Sequence, residues 1–192
     1  STAATQEVDV SVDTNGDGLQ NDGATGINGR TVTLIGGGAD GLINGVGDTT
    51  ATTTTAGDGN YAFTGLTPGV QYQVLFGDKP AGTVFTTRDV GANGSDASDS
   101  DADLVTGRTQ IVTLASGENN PTLDAGVYTP VSIGDRVWED TNANGLQDPT
   151  ETGGIPNLLL RLRDCLNGDA IVATTTTDGS ASRVFSSPTT RA

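Results

Sequence analysis

The stretch DTNGDGLQ at residues 13–20 returns as DTNANGLQ at residues 140–147, an offset of 127. Two further matches keep the same order: TGI at 25–27 against GGI at 153–155, and ATTTTAGDGNYAF from Ala51 against ATTTTDGSASRVF from Ala173. Their offsets are 128 and 122. Fixed order with drifting spacing is how two copies of one folded unit diverge, with the differences collected in loops. The repeat predicts one complete domain over 1–128 and a partial second copy over 129–192, joined by TPVS. After Phe185 the second copy lacks the counterpart of about four strands, which reads either as a truncated fragment or as a sandwich completed by a neighbouring chain. The start at Ser1 reads as that of a mature or excised fragment.

Between the repeated loops the chain alternates apolar and polar residues over short runs. EVDVSV (7–12), RTVTLI (30–35), NYAFTGL (60–66), VQYQVLF (70–76), TQIVTL (109–114) and TLDAGVY (122–128) each read as a half-buried strand. Gly, Asn and Asp clusters such as GGGADG, GDGN and TPGV separate them and supply turns. No segment sustains a helical period, so the expected fold is all-β, a Greek-key β-sandwich. The runs ATTTT at 51–55 and 173–177 read as a threonine-rich strand with an exposed face. Trp138 and Phe185 read as core residues.

Charge and composition narrow the function. Residues 1–130 carry 16 acidic and 4 basic side chains, residues 131–192 carry 8 and 5, and the whole chain has a formal charge of −15. Such a chain repels nucleic acid and anionic membrane surfaces, and its expected counter-charge is a cation. No apolar stretch approaches the roughly 18 residues of a membrane span, so no membrane insertion is expected. With no histidine and a single cysteine, Cys165, the chain excludes disulfide frameworks, Cys/His zinc sites and histidine triads.

Alternate Asp and Asn residues in a tight loop can converge on one hard cation. A twelve-position calcium loop takes ligands from positions 1, 3, 5, 7, 9 and 12, position 7 through its carbonyl, with Gly at 6. Counted from Asp140 these are Asn142, Asn144, Leu146, Asp148 and Glu151, with Gly145 at the bend. Counted from Asp13 they are Asn15, Asp17, Leu19 and Asn21, with Gly18 at the bend, but position 12 is Ala24. Asp22 or an acid from elsewhere must stand in. The candidate donor is SDASDSDAD at 95–103, where Asp96, Asp99, Asp101 and Asp103 repel one another unless a cation neutralises them. An Asx turn held by hydrogen bonds alone is the competing reading of the loops.

The segment SIGDRVWEDTNANGLQDPTETGGIPNLLLRLRD (132–164) resembles the opening of the B-type domains of serine-aspartate repeat surface proteins, SdrD B-like relatives of the Cna B-type fold. DGNYAFTGLTPGVQYQV (58–74), SDASDSDAD and LDAGVYTP (123–130) are similar to later parts of that domain. The first copy departs from the opening, with TQEVDVSV in place of IGDRVW. The resemblance implies a prealbumin-like or immunoglobulin-like sandwich, calcium in inter-strand loops and a stalk role at the bacterial cell surface. Some relatives cross-link themselves through a Lys–Asn isopeptide bond, which needs a lysine facing an asparagine across the core. The only lysine, Lys79, precedes Pro80 in a loop, so calcium is the expected substitute.

These readings converge on a non-enzymatic extracellular module bound to calcium, Ca2+, with neighbouring copies or host matrix ligands as further partners. The alternatives are a self-assembling filament subunit and an accessory domain of a secreted hydrolase.

Overall fold

A computed structural model of the chain describes residues 4–88, 98–180 and 182–186. The chain divides into two compact units, with the boundary between Thr129 and Pro130. Nine strands build the first: β1 (Ala4–Val12), β2 (Thr31–Gly36), β3 (Thr49–Thr54), β4 (Asn60–Leu66), β5 (Gln71–Leu75), β6 (Val84–Phe85), β7 (Val112–Thr113), β8 (Asn119–Asn120) and β9 (Ala125–Tyr128). There is no helix among the described residues.

The strands form two sheets, one in the order β4-β1-β9-β6 with β8 also on β1, the other in the order β3-β2-β5-β7. Apart from the β2–β3 and β8–β9 connections, each step along the chain crosses from one sheet to the other. That crossing produces the expected all-β sandwich, because each strand has one apolar face to bury against the opposite sheet. Val10, Tyr61, Phe63, Phe85, Ala125 and Val127 come from the first sheet, and Val32, Leu34, Tyr72 and Val74 from the second; together they form one core. The Tyr61 ring meets Phe63 and Phe76 edge-on, with centroids 5.9 and 5.7 Å away. Its hydroxyl donates to the Leu123 carbonyl, which disposes of the one polar atom this ring brings into the core.

The second unit has four strands: β10 (Ser132–Arg136), β11 (Leu159–Asp164), β12 (Ala170–Thr176) and β13 (Ser182–Ser186). β10 pairs with β13 and β11 with β12. Outside one bulge the registers reproduce those of the first unit. Gln6 lies opposite Phe63, and Ile133 opposite Phe185. Leu34 lies opposite Ala51, and Leu162 opposite Ala173. The β2–β3 loop spans residues 37–48 and its counterpart 165–169, and just before Ala173 the second copy carries one extra strand residue, Val172. The insertion appears as a register shift between Leu162 and Arg163, a bulge that lets the rest of the ladder keep its pairing.

The threonine runs differ from their expected role in one respect. Thr49–Thr54 is mostly exposed, but the last threonine of each run, Thr55 and Thr177, is 2% exposed. The Thr55 hydroxyl accepts the Arg30 amide at 2.9 Å and donates to the Ile27 carbonyl at 2.6 Å. Thr177 does the same with the Leu158 amide (2.9 Å) and the Ile155 carbonyl (2.7 Å). These hydroxyls fasten the segments before β2 and β11 to the ends of β3 and β12, the second strands of the two hairpins. Trp138 is half-buried in the second unit and bridges to Gly154, as Ser11 bridges to Gly26 in the first.

Candidate metal centre

Asp13 leaves the end of β1 and is 3% exposed. The chain must turn immediately, and the carboxylate organises that turn. Its Oδ1 accepts the Gly16 and Asp17 amides at 2.6 and 3.2 Å, and its Oδ2 accepts the Gly18 amide at 2.9 Å. The Thr86 hydroxyl also donates to Oδ2. Three amides pointing at one carboxylate are a fixed partial positive charge, which is why an acid can be buried here. Gly16 and Gly18 adopt φ of 72° and 85°, conformations that side chains resist, and these let the loop close.

The side chains at positions 3, 5 and 9 of this loop come together. Asn15 and Asn21 both donate their Nδ2 groups to Asp17 Oδ2, at 3.0 and 3.1 Å. The loop around Asp140 repeats the arrangement with the charge moved. Asp140 accepts the Asn144 and Gly145 amides at 3.2 and 2.8 Å. Asn142 and Asn144 both donate to Asp148 Oδ2, at 2.7 and 2.8 Å. In one loop the acid stands at position 5 between amides at 3 and 9; in the other it stands at 9 between amides at 3 and 5. Leu19 and Leu146 donate their amides to Asp17 and Asn144, and their carbonyls accept no hydrogen bond among the described residues.

The last acid of each loop has a shared task. Glu151 is 5% exposed and accepts the Thr141 amide at 2.8 Å. Asp22 accepts the Thr14 amide at 2.8 Å. Asp22 thus takes over, from position 10, the hydrogen bond that Glu151 makes from position 12.

The acidic segment at 95–103 divides its residues among different tasks. Asp96 lies outside the described residues. Asp99 bridges to Leu19 in an antiparallel pair, flanked by the Gln20 amide on the Ser98 carbonyl (2.8 Å) and the Ser100 amide on the Gly18 carbonyl (3.2 Å). This backbone pairing ties the two segments together, and Asp99, 3% exposed, lines a cavity of about 10 Å³ with Asp13, Asp124 and Thr86. Asp101 is fully buried; it accepts the Gln110 amide group at 2.7 Å and the Asp124 backbone amide at 3.0 Å. Asp103 accepts the Val105 and Thr106 amides and the Thr106 hydroxyl, and these bonds hold its carboxyl below the usual carboxylate range. Asp103 thus caps its own turn, and Asp101 anchors the segment leading to β9. No group of three or more acidic side chains arranged around a single metal position occurs among the described residues.

Two participants carried no local sequence signal. Thr86 is 73 residues from Asp13, and Asp124 is brought to the cavity only by the pairing of β9 with β1. Gly126 on β9 keeps this corner compact: a Cβ there would lie 2.5 Å from Thr86 Cγ2.

The donor set fits a hard cation. It is built from carboxylate, amide and carbonyl oxygens, without sulfur or imidazole. The Asn side chains that now donate to Asp17 or Asp148 each carry an amide oxygen as well, the atom through which they would face a cation. The isopeptide alternative has no geometry here, because Lys79 is exposed and its ammonium donates to the Thr83 carbonyl.

Asp9 lies on β1 opposite Asn60, and the fold disturbs its carboxyl. Burial, with the Asp58 carboxylate adding to it, pushes its pKa up to about 6, against a hydrogen bond with Gln20 that lowers it. Between about pH 4 and pH 6 the folded chain keeps a proton that the unfolded chain has lost, so this group's contribution to stability is full below pH 4 and declines as the pH rises through 6. Asp9→Asn is expected to stabilise the first unit at pH 7.5 by about 1–2 kcal/mol, discounted for partial solvation, and to change little at pH 4. Urea midpoints at the two pH values test this; a pH-independent effect contradicts it.

A family model for the SdrD B-like domain matches residues 9–127 and again 131–189. The chain is 41% identical over 174 residues to serine-aspartate repeat-containing protein F of Staphylococcus epidermidis, covering 90% of this chain and 9% of that protein. It is 40% identical over 167 residues to serine-aspartate repeat-containing protein D of Staphylococcus aureus strain Newman, covering 86% of this chain and 11% of that protein. The chain thus spans about a tenth of the length of these relatives. Weak backbone likeness extends to a streptococcal ancillary pilin (TM-score 0.40, 13% identity, 96% of this chain and 50% of that one). It extends also to the shaft pilin SpaA of Lactobacillus rhamnosus GG in its E139A form (TM-score 0.38, 13% identity, 96% and 79%). Two successive matches over nearly the whole length, on the repeat that the sequence itself displays, place this chain in the SdrD B-like domain family.

Proposed function

We propose that the chain is a non-enzymatic structural module of a bacterial surface protein, an extracellular stalk element stiffened by calcium in the Asp13 and Asp140 loops. The observation that carries this reading is the pair of loops with permuted charge. Both keep an amide-anchored carboxylate at position 1, and both bring positions 3, 5 and 9 to one point, although the acid among those three has moved. A turn held only by hydrogen bonds would need no second acid there. A cation bound at the centre is indifferent to which of three converging ligands carries the charge, provided the total is kept. The Asp13 loop, through its pairing with Ser98–Ser100, would pass this rigidity to a connection 80 residues further along the chain.

Calcium bound only by the folded state stabilises it by mass action. With a dissociation constant near 10⁻⁴ M and about 2 mM calcium, each site would add roughly 1.8 kcal/mol, or about 5 °C in melting temperature. Calorimetric scans in calcium and in EDTA, with titration calorimetry for stoichiometry, test the proposal. Two sites and a reversible drop in melting temperature support it; identical scans with no binding heat remove the calcium and leave only hydrogen-bonded turns.

A further inference from the structure

An asparagine followed by glycine is open to spontaneous chemistry, because glycine has no Cβ to keep its amide nitrogen from reaching the preceding side chain. Five such steps lie among the described residues, at Asn15, Asn28, Asn44, Asn144 and Asn167; a sixth, at Asn93, lies outside them. In four of the five the glycine amide is already engaged. Gly16 donates to Asp13 Oδ1 at 2.6 Å, Gly45 to Asp48 Oδ2 at 3.0 Å and Gly145 to Asp140 Oδ2 at 2.8 Å, while Gly29 donates to the Thr55 carbonyl at 2.7 Å. An amide donating to a carboxylate keeps its proton and its direction, since the anion opposes deprotonation.

The side chains of the same four asparagines are held as well. Asn15, Asn44 and Asn144 donate Nδ2 to Asp17, Asp40 and Asp148, and each accepts on Oδ1 the amide two residues further on. Asn28 accepts the Gly59 amide on Oδ1 at 2.8 Å. The fifth step stands at the tip of the β11–β12 hairpin, with Asn167 and Gly168 both exposed. Among the described residues neither the Gly168 amide nor the Asn167 side chain makes a hydrogen bond, and a Cβ at Gly168 would meet nothing within 4 Å. The first-unit loop in this place, residues 37–48, supplies Asp40 and Asp48 to hold its Asn-Gly step. Its shorter counterpart, 165–169, has Asp169, which takes no hydrogen bond from Gly168.

We propose that Asn167 is a site of spontaneous covalent modification, converted to aspartate and isoaspartate while the four held asparagines stay intact. The Gly168 nitrogen attacks Asn167 Cγ: the N–Cγ bond forms, the Cγ–Nδ2 bond breaks, and Nδ2 leaves as ammonia with the proton from Gly168. Water then opens the resulting succinimide at either carbonyl. Each event adds one negative charge to a tip that already carries Asp164 and Asp169, and the isomer adds a methylene to the main chain of the turn. The change is irreversible, so the converted fraction records the age of the folded protein.

The full chain is incubated at mildly alkaline pH in EDTA, so that hydrogen bonds alone do the holding, and conversion is read by peptide mapping as a gain of one mass unit. Conversion at Asn167 is expected to be at least tenfold faster than at each of Asn15, Asn28, Asn44 and Asn144, and the five rates should converge in urea. Asp140→Ala and, on the β2–β3 loop, Asp48→Ala release Gly145 and Gly45; each should speed its own asparagine at least tenfold and leave Asn167 unchanged. A rate at Asn167 no faster than at the held residues overturns the site. A ranking that survives in urea assigns it to local sequence and overturns the structural cause, as do unchanged rates at Asn144 and Asn44 in the two variants.

Discussion

Replacing Asp13 by alanine is expected to destabilise the first unit by about 3–5 kcal/mol in urea unfolding without added metal. The carboxylate accepts three backbone amides and the Thr86 hydroxyl while almost wholly buried. Hydrogen bonds to a charged acceptor contribute about 1.5–3 kcal/mol each, and the sum is reduced because amides of an open loop can reach water once the acceptor is gone. The loss is a large fraction of the 5–15 kcal/mol typical of a domain. Asp140→Ala removes an equivalent but half-exposed anchor that, among the described residues, accepts the Asn144 and Gly145 amides, so it should cost the second unit roughly 1–2 kcal/mol. Equal effects at the two positions would show that the Thr86 contact and burial contribute nothing. An Asp13 effect below 1 kcal/mol would show that the turn holds itself by backbone geometry alone.

Thr55→Val is expected to be nearly as damaging. The substitution keeps the shape and removes one oxygen, which leaves the Arg30 amide and the Ile27 carbonyl without the bridge that joins them. Half-buried partners orphaned in this way cost toward the low end of about 1–3 kcal/mol each, so a loss of about 2–4 kcal/mol is expected. Thr54→Val, one residue earlier and exposed on the edge strand, should change stability by less than about 0.5 kcal/mol. The contrast between neighbours is the measurement: similar effects at 54 and 55 would mean that the run acts through strand propensity, not through the buried hydroxyl. Thr177→Val should reproduce the effect in the second unit, where the same two bonds recur.

Much of the fold could be read in the chain because its signals are local or repeated. Alternation marked β1, β2, β4, β5 and β9, and the offsets of the repeat, 127, 128 and 122, are the very registers that the two units share. The strand read over 109–114 is regular only at Val112–Thr113. Thr109 turns aside there, its hydroxyl accepting the Val74 amide and its carbonyl taking the Gln73 side chain. The twelve-position count located both loops and the gap at Ala24, and it named Asp22, which does bond to Thr14.

Sequence alone thus determined the unit, its repetition, the two loops and the acidic character of the chain, since these depend on residues a few positions apart. Only the tertiary structure decided what each acid does. Asp99, Asp101 and Asp103 are alike in sequence, yet one lines the cavity by the Asp13 loop, one anchors the approach to β9 and one caps a turn. Thr86 and Asp124 join Asp13 from more than seventy residues away. Their meeting follows from the pairing of β9 with β1 and of β6 with β9, and local periodicity carries no record of which distant strands will lie side by side.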